Sequence, residues 1–286
     1  MAIEKQIWID VIKEGMYPEN SFLTESVDMS EFVNYNKINL AEAGVDPSVL
    51  VDNTVFPVPT VSRTDVPKEI PLHTFDTVNT VVRNVEEKET AYNKMDSVVR
   101  GHRNALRLYD GSLSANNWAP ASNAALTPVL ATTGANNAYT LKKLTFEDVL
   151  DLESKFMMID ANMDELVLLL NPIHLADLKS QDIKLYKEIM TDMKLFSFKL
   201  YTYSKNPYYT AAGAKKAFGS TPAGTDTMAS IAWMRSEVMK CEGDYEVFAK
   251  YKDPGERGDV IGFQQRFHAM PIRNKYIGAI YSAAGA

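Results

Sequence analysis

Residues 253–272 read DPGERGDVIGFQQRFHAMPI. The fold turns on whether the glycine-rich start of this stretch grips a ligand or bends the chain between two strands. Asp253-Pro254-Gly255 is turn chemistry, because proline presets φ, glycine accepts conformations that other residues resist, and the aspartate side chain bonds locally. The runs on either side, 245–251 and 260–267, alternate apolar and polar residues with the period of two that a half-buried strand requires. The stretch therefore reads as a loop between two paired strands. It also contains Arg257-Gly258-Asp259, but a three-residue match is too short to carry an adhesion function.

Composition sets the outer bounds. The chain has 286 residues, 45% of them hydrophobic, enough for a large core in one large domain or two modest ones. Its formal net charge of -7 argues against a dedicated nucleic-acid binder, since neutralising phosphates needs clustered Lys and Arg. The single cysteine, Cys241, cannot form an internal disulfide and reads as a small buried hydrophobe. The first twenty residues carry charges and no long apolar run, so neither a signal peptide nor a membrane span is expected. These features point to a chain made and kept in a cytoplasm.

Working outward from the C-terminal hairpin, the texture changes several times. Residues 1–30 contain a short amphipathic stretch with Ile7, Trp8, Val11 and Ile12 on one face. In 31–87, two strand-like ends, FVNYNKINL and FDTVNTVV, flank a centre that carries Pro47, Pro57, Pro59 and Pro67. Prolines at that density exclude a helix and a central strand, so the segment reads as a long extended hairpin whose tip has little core of its own. Tyr92, Met95, Val98, Val99, His102, Ala105, Leu106 and Tyr109 recur at helical spacing, with Thr90 as a cap and Asp110-Gly111 as a stop. The Asn- and Ala-rich stretch 114–139 is expected to be a connector. A second region then opens on Thr145, spaced from Asp148 as in a capping box. ELVLLLNP, 165–172, is a buried strand ended by a breaker, and LFSFKLYTY reads as one strand with Phe196, Phe198 and Leu200 on its buried face. The interval 206–226, which holds Lys215 and Lys216, is expected to be an exposed loop. Four further strand-like runs reach the C-terminus, and the overall pattern is α+β.

Chemical motifs are sparse. His73, His102, His174 and His268 are far apart in sequence, and none sits in a metal-binding spacing. His102 lies on the apolar stripe of its helix, so packing explains it. No phosphate-cradling glycine loop occurs. Glu86-Glu87 reads as a charged face rather than an acid/base pair, and Asp148 already has a capping role. No cofactor or metal is expected, and nothing demands an enzyme.

The C-terminal third nevertheless resembles a known pattern. Gly262-Phe263, Arg266-Phe267, Pro271-Ile272 and Tyr276-Ile277-Gly278, after the acidic glycine-bearing loop, are similar to the ending of tailed-bacteriophage major capsid proteins of the Hong Kong 97 fold. One departure is His268, where glycine is frequent in the family. The resemblance extends over nearly the whole chain as a run of textures. It implies an N-terminal arm at 1–30, an extended loop at 31–87, a peripheral domain with a spine helix at 88–139, an axial domain at 140–245, and a return to the peripheral domain at 246–286.

What the resemblance implies is a virion protein, assembled in the cytoplasm of a bacterial host, whose copies form pentamers and hexamers in an icosahedral shell around double-stranded DNA. Its partners would be itself, a portal protein, a separate scaffolding protein, and the packaged DNA only weakly; no membrane is involved. The separate scaffold is expected because the chain reaches its arm directly after Met1. Val45, Asp46, Phe56, Arg63, Asp65 and Lys68 would make extended-loop contacts, and Ile7, Trp8, Val11 and Ile12 the arm contact. Tyr208, Tyr209, Lys215, Lys216 and Phe218 would sit on a loop at the capsomer centre. Some relatives cross-link through Lys and Asn, and Lys37 and Lys68 lie on the right loop for this. Two rival classes are an encapsulin-like compartment, which shares the fold but encloses enzymes, and a hydrolase.

Overall fold

The computed structural model describes residues 9–10, 12–13, 16, 21–34, 36–42, 52–54, 56–58, 66–83 and 94–285. Two sheets and a small hairpin sheet organise them. The five-stranded sheet contains β1 (Val27–Asp28), β5 (His73–Asp76), β6 (Thr80–Arg83), β13 (Val238–Asp253) and β14 (Gly258–Pro271). The small sheet contains β2 (Val33–Asn34), β3 (Lys37–Glu42) and β4 (Val66–Pro71). The seven-stranded sheet runs β7 (Val129–Ala131), β15 (Ile277–Tyr281), β12 (Thr227–Met234), β8 (Leu166–Leu170), β10 (Phe198–Thr202) and β9 (Lys194–Leu195), with β11 (Tyr208–Tyr209) also on β12. Helix α1 is Lys94–Trp118, α2 is Phe146–Met158, α3 is Pro172–Gln181 and α4 is Ile183–Asp192.

The opening stretch is a bend. β13 and β14 pair antiparallel from Val238↔Pro271 to Asp253↔Gly258. At the turn, Asp253 Oδ1 accepts from the Gly255 amide at 3.0 Å, and the Arg257 amide bonds the Asp253 carbonyl at 2.7 Å. Asp259 Oδ1 accepts from the Lys252 amide at 2.7 Å, so the acidic end of the Arg-Gly-Asp tripeptide serves the turn itself. Every residue of β8 is buried, which is why its sequence shows no alternation. Thr145 and Asp148 form the reciprocal capping box of α2.

Three sequence expectations are corrected. Helix α1 does not stop at Asp110-Gly111 but continues for another two turns to Trp118. Asp110 is fully buried, with Oδ2 accepting from Gln265 Nε2 at 2.8 Å. Gly111 is there for close approach rather than for a turn, since a Cβ on it would lie 2.7 Å from Tyr203 Oη. The stretch 114–139 is accordingly no plain connector: its start is the last turn of α1, and it contributes β7 to a sheet. LFSFKLYTY is two strands with a turn between them, and Phe196 sits in that turn with φ 54 and its side chain exposed. The segment 246–286 contributes to both large sheets, because β14 is in the five-stranded sheet and β15 lies between β7 and β12 in the seven-stranded one. The predicted cap Thr90 lies outside the described residues.

The main core joins both large sheets through α1. Phe22, Leu23, Trp118, Trp233 and Phe267 belong to one buried cluster, and Trp118 Nε1 donates to the Met239 carbonyl at 3.2 Å. Within 1–30, Phe22 and Leu23 belong to this core and β1 pairs with β13. Two glycines of α1 test this packing from opposite directions. Gly101→Ala meets nothing within 4 Å and is expected to stabilise the chain by about 0.5–1 kcal/mol through helix propensity. Gly111→Ala must displace Tyr203 and is expected to cost about 1–3 kcal/mol by overpacking. Equilibrium urea unfolding of the two variants checks both signs.

Candidate functional site

The described surface offers no metal centre. Among the described residues, no group of three or more His, Cys, Asp or Glu side chains could hold an ion. The fold does bring His73 and His268 together, with ring centroids 5.3 Å apart. Burial, followed by the nearby His73, pushes His268 down to about 4. His102 packs on Phe263 at 5.1 Å, as its place on the apolar stripe requires. Cys241 is buried, and burial pushes its thiol up to about 12, which makes it inert.

The arrangement closest to a hydrolytic site is closed. His174 lies between Ser230 Oγ and Ser282 Oγ, each 2.8 Å from a ring nitrogen. All three side chains are buried, so no substrate atom can reach either hydroxyl. Burial holds the ring down to about 3, far from a base poised near neutrality. The geometry is that of an internal tie between β12, α3 and the segment after β15.

Assembly surfaces remain. The β3–β4 hairpin pairs in register from Lys37↔Pro71 to Glu42↔Val66. β4 is an edge strand, which is how it tolerates Pro67 and Pro71. Beyond the hairpin strands, Phe56 is 76% exposed, and Val58 is exposed as well. Val45, Asp46, Arg63 and Asp65 lie outside the described residues, as does the side chain of Lys68. Lys37 Nζ pairs with Glu69 Oε2 at 2.8 Å across the hairpin. A groove of about 720 Å³ runs between α1 and the β5–β6 segment, lined by Phe75, Val78, Val98, Leu106 and Tyr109 among others. No motif announces it, because its walls come from two segments far apart in sequence.

The loop 206–226 differs most from expectation. Tyr209 is fully buried, stacks on Tyr281 at 6.2 Å, and donates its hydroxyl to the Pro120 carbonyl. Lys215 is no solvated loop lysine: its Nζ donates to the carbonyls of Asn116 and Ala119 at 2.8 and 2.6 Å, at the C-terminal end of α1. A cation there satisfies carbonyls that the helix leaves unpaired. Burial lowers Lys215 to about 8. Lys216 Nζ pairs with Asp226 Oδ2 at 3.0 Å, and Phe218 packs edge-on against Tyr109 at 5.4 Å. Tyr208 is half-buried on β11. These five residues are engaged with their own chain, and the exposed remainder of the loop includes 219–225. Lys215→Met keeps the stem and removes the donor. It is expected to cost about 1–3 kcal/mol and to hasten proteolysis within 206–226, read by urea unfolding and limited digestion.

The arm contacts are redistributed too. Ile7, Trp8 and Val11 lie outside the described residues. Ile12 is fully buried with Met16, Val99, Leu106, Tyr245 and Phe263, so it packs on its own chain. Exposed apolar residues outside the candidate contacts include Val78, Tyr139, Leu150 and Met157.

No family model matches the sequence, and no curated protein matches it. Solved structures do match. The chain is similar to the capsid of Ralstonia phage GP4, with a TM-score of 0.67, 12% identity, and coverage of 96% of this chain and 91% of that one. It is similar to a structure from Mycobacterium phage Che8, with a TM-score of 0.63, 11% identity, and coverage of 92% and 91%. It is also similar to a virus-like particle from Pyrococcus furiosus, with a TM-score of 0.61, 11% identity, and coverage of 97% and 99%. These likenesses each cover more than nine-tenths of the chain, so the chain has the Hong Kong 97-type capsid fold.

Proposed function

We propose that the chain is the major capsid protein of a tailed bacteriophage. Its copies gather into pentamers and hexamers, and these tile an icosahedral head shell around double-stranded DNA. The observation that carries this reading is the likeness to the capsid of Ralstonia phage GP4 over 96% of the chain, joined by apolar side chains that a lone chain leaves in water. The exposed Phe56 and Val58 beyond the β3–β4 strands, and the groove beside α1, are surfaces of the kind that neighbouring copies cover.

The role is structural rather than catalytic, and the closed His174 arrangement supports that. A net charge of -7 suits a container that must not adhere to its packaged duplex. A portal protein and a separate scaffolding protein are the expected partners. No described helix is long and apolar enough to cross a membrane. The likeness to the Pyrococcus particle favours a second reading, a compartment that encloses protein cargo instead of a genome.

Electron microscopy tests the first reading, on the chain expressed alone and together with a scaffolding protein from the same phage. Closed icosahedral particles or capsomer rings are expected. A chain that stays monomeric or dimeric in both conditions overturns it, and particles that fill with protein rather than DNA in the infected host favour the compartment.

A further inference from the structure

Past Glu242, one edge of the β13–β14 hairpin has no strand beside it among the described residues. β13 bonds β14 along one side. On the other side β1 pairs only with Met239 and Lys240, and the Glu242 amide is met by Ser30 Oγ at 3.0 Å. An edge of this kind presents unpaired amides and carbonyls, a template for another strand. Bulges at Glu242/Tyr245 and Lys250/Asp253 bracket the uncovered segment, 245–251, and limit how far a partner strand can follow it.

That segment reads YEVFAKY. Glu246, Phe248 and Lys250 are exposed, while Tyr245, Val247 and Ala249 pack inward with Ile261 and Phe263. About Phe248 the segment is symmetric by residue kind. In either direction come an aliphatic residue, a charge and a tyrosine, and the two charges are opposite in sign. Glu246 has no ion-pair partner among the described residues. Lys250 Nζ meets Asp253 of its own turn at 2.8 Å, with its side chain still 68% exposed.

We infer that this edge pairs antiparallel with the same edge of a second copy of the chain, across a two-fold axis at Phe248. Phe248 then faces Phe248, Val247 faces Ala249, Tyr245 faces Tyr251, and Glu246 faces Lys250 on both sides of the axis. Aromatic, aliphatic and opposite-charge pairs set directly across from each other are the ones that stabilise a sheet. Other alignments lose the match. Parallel strands in register oppose Glu246 to Glu246 and Lys250 to Lys250, and an antiparallel slip of two residues sets Phe248 against a charge. The inference rests on the capsid reading for its place in the particle. A ring is closed by head-to-tail contacts, whereas a contact that matches itself joins two copies only, so this joint links neighbouring capsomers.

Single charge reversals test the pairing. Glu246→Lys opposes lysine to Lys250 on both sides of the axis, and Lys250→Glu opposes glutamate to Glu246. Each variant alone should form shells at about a tenth of the wild-type yield or less, while the unfolding midpoint of the unassembled chain is unchanged. Mixed in equal amounts, the two variants should recover most of the yield, because every mixed pair again sets lysine against glutamate. In a second experiment, Phe248→Cys is mildly oxidised as shells assemble, and the chains should be linked in pairs. Wild-type yield from both single variants overturns the inference and leaves the capsid reading standing. A mixture no better than its parts does the same, as does the absence of linked pairs. A wild-type chain that never assembles removes both readings together.

Discussion

Replacing His174 with leucine is expected to destabilise the folded chain by about 3–5 kcal/mol, one of the two largest effects anticipated here. The imidazole is fully buried and ties Ser230 of β12 to Ser282 beyond β15, through bonds of 2.8 Å on both ring nitrogens. Leucine removes a ring partner from both hydroxyls in a site closed to water. Ser230 Oγ still accepts from the Asn171 amide at 3.0 Å, whereas Ser282 Oγ is left unmet at about 1–3 kcal/mol. The misfit of the branched side chain in the imidazole's place adds to it. Equilibrium urea unfolding should show the lower midpoint with little change in slope.

The same histidine makes stability depend on pH with a definite sign. Burial lowers its folded value to about 3 from 6.5, so between these limits the unfolded chain binds a proton that the folded chain refuses. Its contribution is complete above pH 6.5 and is lost progressively as the pH falls toward 3. At about pH 5 the loss should be about 2 kcal/mol, at 1.36 kcal/mol per unit. His174→Leu should lack this component of the wild-type acid sensitivity. Equal acid slopes in the two proteins would contradict the assignment.

Removing the apolar side chains beyond the β3–β4 strands is expected to act on assembly instead of folding. Phe56 and Val58 are exposed in the single chain, so Phe56→Ser combined with Val58→Ser should leave the unfolding midpoint within about 0.5 kcal/mol of wild type. Shell yield should nevertheless fall by about a hundredfold, because a truncated anchor residue costs about 2 kcal/mol or more at every repeated contact. Sedimentation and electron microscopy of the double variant measure this. Normal shells would mean that this segment is not a joint between subunits.

Much of the architecture is legible in the sequence because its signals are local. Alternation marks β13 and β14, an unbroken apolar run marks β8, and Thr145 with Asp148 marks the start of α2. Each depends on residues within a few positions of one another. The candidate contact residues were harder to read because exposure is not local. Lys215 has the composition of a solvated loop, yet the chain folds it beneath the end of a helix about a hundred residues away. Phe196 fits the alternation of a strand, but the turn held by Glu153 points it to solvent. Gly111 resembles a helix stop, but a ring from β10–β11 territory, Tyr203, is what requires the missing Cβ.

The sequence by itself determined the α+β class, the bend at 253–258, the proline-rich hairpin and the resemblance to phage capsid proteins. Turn chemistry and hydrophobic period are properties of neighbouring residues, and they survive without a partner. Only the tertiary structure decided which side chains are free to meet another copy. It buried Tyr209 and Ile12 in their own chain, tied Lys215 to the end of a helix, and left Phe196 and Tyr139 exposed. Burial is set by contacts between segments distant in sequence, and it is burial that separates a side chain used to hold the fold from one left to hold a neighbour.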